Sequence, residues 1–151
     1  MSMFLKSLKE LPPFGVAVGM RLDETDSGPG IVVLLDGDPN IGSQDFGGSF
    51  HNGVILATID NAAGWCSRDH ADYREGIAMA TLDLRVDFLS YAALSETLRI
   101  RACCEGIDRD LAFVRASAEI VSTGQLVALG QATFMMGTSP GPHASVAQKP
   151  A

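Results

Sequence analysis

Between positions 78 and 88 the chain alternates one residue at a time, Ala78, Ala80, Leu82, Leu84, Val86 and Phe88 against Met79, Thr81, Asp83, Arg85 and Asp87. A period of two sustained over eleven residues predicts a β-strand with one face turned inward. Residues 98–105, 111–121 and 126–136, and the shorter segments 16–22 and 31–36, are apolar and β-branched and predict further strands. Turn sequences separate them at 26–30, 106–110 and 122–125. Two segments predict helices instead. Residues 2–11 form the first, stopped by Pro12-Pro13. After a loop over 37–49, the turn His51-Asn52-Gly53 opens the second, which ends near 69–72. Along it Ile55, Ile59, Ala62 and Cys66 recur at steps of four, three and four, a stripe made to face a core.

One long helix with five or six antiparallel strands is an α+β layout. With 151 residues, 46% hydrophobic and 19% charged, the chain has the composition of one globular domain. From Gly137 onward it is rich in Gly, Pro, Ser and Ala, which sets the domain at 1–137 and a disordered tail at 138–151. Three cysteines, with Cys103 and Cys104 adjacent and pointing to opposite faces of a strand, argue against a disulfide framework. Residues 1–10 lack the apolar run of a secretory signal and no stretch reaches bilayer-spanning length, so the expected setting is the cytoplasm, with no membrane partner. A net charge of −7 argues against nucleic acid.

Asp60 is the residue whose placement asks for an explanation. It stands in the apolar part of the second helix but off the stripe, and its helical neighbours are Ala57, Ala63, Gly64 and, further on, Ser67. An ionised carboxylate there is costly unless something uses it. Small neighbours leave space for a substrate, or equally for close packing of another element with Asp60 as a structural hydrogen-bonding group.

The segment from Phe50 to Cys66 resembles the signature of hotdog-fold acyl-CoA thioesterases of the phenylacetic-acid-degradation (PaaI-like) type. That signature is a His-Gly-Gly turn followed by an acidic residue nine positions after the His, matched here by His51, Asn52, Gly53 and Asp60. Residues 80–89 and 124–134 resemble the family's long strand after the helix and its final strand, and the resemblance covers about residues 16–137. It implies a helix wrapped by the sheet, sheets joined edge to edge in a homodimer or homotetramer, and sites built from two subunits. The strand over 77–89 suits such pairing, being too long and flat to leave as an exposed edge.

The implied chemistry is hydrolysis of an acyl-CoA thioester. Asp60 would act as general base on water or as nucleophile. The backbone N–H after the turn histidine, that of Asn52, would stabilise the oxyanion at a helix N-terminus. Family members carry Gly there; Asn is the substitute that best tolerates positive φ, should the backbone need it. His51 would orient the turn, Thr81 matches a Ser or Thr that positions water or the carboxylate, and Gly53 and Gly64 would border the substrate. Asp45 matches an Asn or Gln of relatives, and differs from it by offering only acceptors when ionised. As plain strand chemistry, Thr81 is also explained by β propensity.

Other chemistries lack their motifs. There is no phosphate-cradling Gly-rich loop, no GxSxG elbow around Gly47-Gly48-Ser49, and His51, His70 and His143 do not combine with the cysteines at metal-ligand spacing, so no cofactor or metal is expected. Two other functions fit the same residues: a non-catalytic acyl-CoA or small-ligand binding protein, and a hotdog dehydratase or hydratase that pairs His51 with Asp60. Arg85, Arg99, Arg101, Arg109 and Arg115 gather on or near neighbouring strands. Coenzyme A would call on some of them, whereas pairing with Asp83, Asp87, Glu105 or Glu119 would occupy them within the sheet.

Overall fold

The computed structural model describes residues 11–44, 47–70, 72–73 and 78–138. The expected helix over 2–11 and the tail from 139 lie outside them, as does Asp45. Within them, helix α1 (Pro13–Ala17) leads to strands β1 (Met20–Leu22) and β2 (Ile31–Asp36). A single 3₁₀ turn (Pro39–Ile41) and the two-residue strands β3 (Gly42–Ser43) and β4 (Ser49–Phe50) precede helix α2 (Asn52–Asp69). Four long strands complete the chain: β5 (Met79–Phe88), β6 (Thr97–Asp108), β7 (Leu111–Ile120) and β8 (Leu126–Met136).

Six strands form one antiparallel sheet in the order β1-β2-β6-β7-β8-β5, and α2 packs on one face of it. This is the hotdog fold. The stripe read from the sequence is the buried side of the helix, with Ile55, Ile59, Ala62 and Cys66 exposed by no more than 4%. They meet Leu35, Leu98, Ile100, Ala118 and Val127 of the sheet, each fully buried. Every large aliphatic side chain so buried contributes about 2 kcal/mol relative to leaving it in water. The helix reaches this depth because Gly130 on β8 has no side chain, and a Cβ there would stand 2.9 Å from Ile59 Cγ2.

Three expectations are corrected. A short helix begins at Pro13, whose fixed φ and missing N–H suit the first helical turn. The strand expected over 16–22 is therefore shortened to Met20–Leu22, entered through Gly19 at φ 74°. The turn expected over 106–110 contracts to Arg109-Asp110, because a bulge at Glu105 lets Gly106, Ile107 and Asp108 go on pairing with β7. In β5 the strict alternation breaks at Leu82. The register jumps between Thr81 and Asp83, Leu82 is left without a partner and 55% exposed, and the two halves of the strand exchange faces. Met79 and Thr81 consequently share the helix side with Leu84 and Val86.

Candidate active site

Helix α2 begins at His51, whose extended backbone (φ −70°, ψ 130°) makes it the N-cap. Its Nδ1 accepts the Gly53 N–H at 3.0 Å, satisfying one of the donors a helix start leaves unpaired. Val54 and Ile55 donate back to the His51 carbonyl at 2.9 and 3.3 Å. The Asn52 N–H has no partner among the described residues. It therefore stands free at the positive end of an 18-residue helix. Neither Asn52 nor Gly53 has positive φ, so the allowance made for Asn52 on that ground is not needed. Space at Gly53 is tight instead: a Cβ would lie 3.0 Å from His51 Nδ1 and 3.2 Å from its Cε1, so the capping imidazole would have to shift by a few tenths of an ångström.

Two turns along the helix, Asp60 is half-buried and faces β5. The Thr81 hydroxyl donates to its Oδ1 at 2.9 Å, which fixes one carboxylate oxygen and leaves the other available. The bulge at Leu82 is what turns Thr81 toward the helix. Gly64, the next residue along this face, carries no side chain, and the space beside it is lined by Met79 and Phe134. The alternation read in the sequence assigned Met79 to the face away from Leu84 and Val86, so its place at the site was hidden by the bulge. The core position of Phe134, 3% exposed, was legible only as a strand hydrophobe.

Within one protomer these groups form two clusters. Asn52 and Asp60 are eight residues apart on one helix, about 12 Å along its axis. His51 is further still and uses its Nδ1 as a cap, so the chain does not bring His51 and Asp60 together as a hydratase pair within the protomer. Four of the five arginines are held in ion pairs, and the fifth, Arg109, sits in the turn between β6 and β7 at φ 55°. Arg99 pairs with Glu119 at 3.1 Å, Arg115 with Glu105 at 2.8 Å and Arg85 with Asp87 at 3.1 Å. Arg101 pairs at 2.6 Å with Asp26, a partner the strand pattern did not suggest because it comes from the β1–β2 turn. The Arg101 guanidinium beside it and the Gly28 N–H hold the Asp26 carboxyl below its usual range. Cys66, Cys103 and Cys104 are free thiols. Burial pushes Cys66 up to about 12. No group of His, Cys, Asp or Glu among the described residues has the arrangement of a metal site, and none of their helices is long and apolar enough to cross a membrane.

The helix-on-sheet architecture, with a carboxylate facing the edge strand and a free N–H at the helix start, defines a class in which solved structures abound. A thioesterase family protein from Silicibacter pomeroyi is 24% identical, with a TM-score of 0.71 over 85% of this chain and 91% of its own. The phenylacetic acid degradation protein PaaI from Thermus thermophilus is also 24% identical, with a TM-score of 0.67 over 82% and 98%. A thioesterase from Haemophilus influenzae is 17% identical, with a TM-score of 0.70 over 81% and 80%. These likenesses are of fold. No curated protein matches the chain significantly. The model of the thioesterase superfamily matches residues 47–128, from just before the helix cap to the last strand, and the chain belongs to that superfamily.

Proposed function

We propose that this protein hydrolyses acyl-CoA thioesters, with Asp60 as general base or nucleophile and the Asn52 N–H as the oxyanion donor. The observation that carries the proposal is the bond from Thr81 to Asp60, which anchors a carboxylate beside an open sheet edge while a second free donor waits at the helix start. Membership of the thioesterase superfamily supplies the reaction class. Attack at a thioester carbonyl needs both groups within hydrogen-bonding reach of the same few atoms. Because they lie about 12 Å apart on one helix, a second copy must supply one of them. Strand β5, which among the described residues pairs only with β8 and exposes Leu82, is the edge at which that copy would join.

Replacing Asp60 with the near-isosteric, non-basic Asn tests the chemistry. Release of free thiol from acyl-CoA is expected to fall at least about 10²-fold while the circular dichroism spectrum is unchanged. Wild-type turnover in folded Asp60→Asn protein would remove Asp60 from the mechanism. Tight acyl-CoA binding by a wild type that releases no thiol would make the protein a binder.

A further inference from the structure

We propose that Met79 closes the acyl pocket and sets the length of acyl group the protein accepts; this rests on the thioesterase reading above. From the Asp60 carboxylate the helix offers two directions. Toward its start the next residues on this side are Ala57 and Leu56, the leucine a bulky side chain 38% exposed. Toward its end it is Gly64, with no side chain, about 6 Å along the axis. The open direction therefore leads over Gly64.

What lies beneath that opening is measured by a methyl group placed on Gly64. It would stand 3.5 Å from Met79 Cε and 3.7 and 3.9 Å from the Phe134 ring, all ordinary contacts. The slot is thus one methyl deep at this point. Phe134 is locked in the core, whereas Met79 is half-buried and ends in a flexible thioether. Met79 also stands two residues before Thr81 on the same face of β5, so the group that ends the slot is mounted beside the group that holds Asp60. An acyl chain laid over Gly64 meets the methionine methyl about one helical turn past the reacting carbon. Short acyl groups fit directly, and longer ones must displace the thioether.

The test compares wild type, Met79→Ala and Gly64→Ala on saturated acyl-CoA thioesters from butyryl to dodecanoyl, following thiol release. Met79→Ala removes three heavy atoms from the end of the slot. Since each further methylene buried is worth about fourfold, the kcat/KM ratio of long to short chains should rise about tenfold or more. Gly64→Ala fits the native packing and, as a glycine replaced in a helix interior, should melt at or somewhat above wild type, yet lower that ratio by filling the slot. If the alanine at 79 prevents folding, Met79→Leu, equal in bulk but stiffer, should narrow the range of lengths accepted. Variants whose chain-length profiles parallel wild type overturn the proposal while leaving the thioesterase reading intact. A wild type inactive on every member of the series refutes that reading, and this pocket with it.

Discussion

The free N–H of Asn52 can be deleted almost without touching the fold, because it occupies the first position of α2. Proline lacks the N–H, and the first helical turn is where a helix tolerates it. The residue before a proline is pushed toward extended backbone, and His51 is already there at φ −70° and ψ 130°. No hydrogen bond is lost, since the Asn52 N–H has no partner among the described residues. Asn52→Pro should therefore leave stability within about 1 kcal/mol of wild type, with a bias toward stabilisation from the stiffer unfolded chain. Loss of one oxyanion donor costs about 10²–10³-fold in kcat, or 3–4 kcal/mol of transition-state stabilisation. Asn52→Gly, which keeps the N–H, should stay close to wild-type activity and so separates the backbone donor from the side chain.

The same variant decides whether the two clusters meet across a subunit boundary. Asp60→Asn and Asn52→Pro are each expected to be inactive alone. Unfolded together and refolded as a mixture, half of the dimers are hybrids, and in each hybrid one site combines the intact Asn52 of one chain with the intact Asp60 of the other. Thiol release should return to about a quarter of the wild-type rate. A mixture no more active than its parents would place both groups of each site in one protomer and refute the shared site. Folded Asn52→Pro that keeps more than about a tenth of wild-type kcat would remove this N–H from the reaction.

Further outcomes follow from the packing and titration of the same elements. Gly130→Ala puts a methyl 2.9 Å from Ile59 Cγ2 and should cost about 1–3 kcal/mol in urea denaturation, partly restored by Ile59→Leu, which removes the clashing branch; a neutral Gly130→Ala would mean that α2 is not seated against β8 as described. The Cys66 thiol, pushed by burial from 9.0 to about 12, keeps its proton in the folded state after the unfolded chain has lost it. Stability from this source is full below pH 9 and falls as pH rises from 9 toward 12. Urea midpoints should decline less steeply across that range in Cys66→Ala than in wild type, and equal slopes would contradict the assignment.

How much of this was legible in the sequence depended on whether a feature was local. Strand β5 was recognisable from alternation and the buried face of α2 from the spacing of Ile55, Ile59, Ala62 and Cys66, since both patterns repeat the geometry of their own element. The short helix from Pro13 escaped because five residues are too few to show a helical period, and Val16 and Val18 read as strand residues. The bulges at Leu82 and Glu105 escaped because a bulge is a relation between two strands. A single strand's pattern does not record which neighbour it will skip.

The site divides along the same line. The His51 cap and the Asp60 position are separated by a fixed number of helical residues, so sequence spacing alone locates both. Thr81 was a candidate by resemblance, yet unbroken alternation would have turned it away from Asp60; the skipped residue at Leu82 reverses that and allows the 2.9 Å bond. One unpaired residue on an edge strand therefore does two things at once. It brings Met79 and Thr81 round to the helix beside Gly64 and Asp60, and it leaves Leu82 exposed on the side where β5 has no neighbour among the described residues. Deleting Leu82 would let Thr81 and Asp83 pair consecutively with Phe134 and Thr133 in unbroken alternation, so Thr81 should keep its side and its bond to Asp60 while the strand loses only its exposed leucine; what fixes the site is the pairing of Thr81 with Phe134, and the bulge accommodates the extra residue.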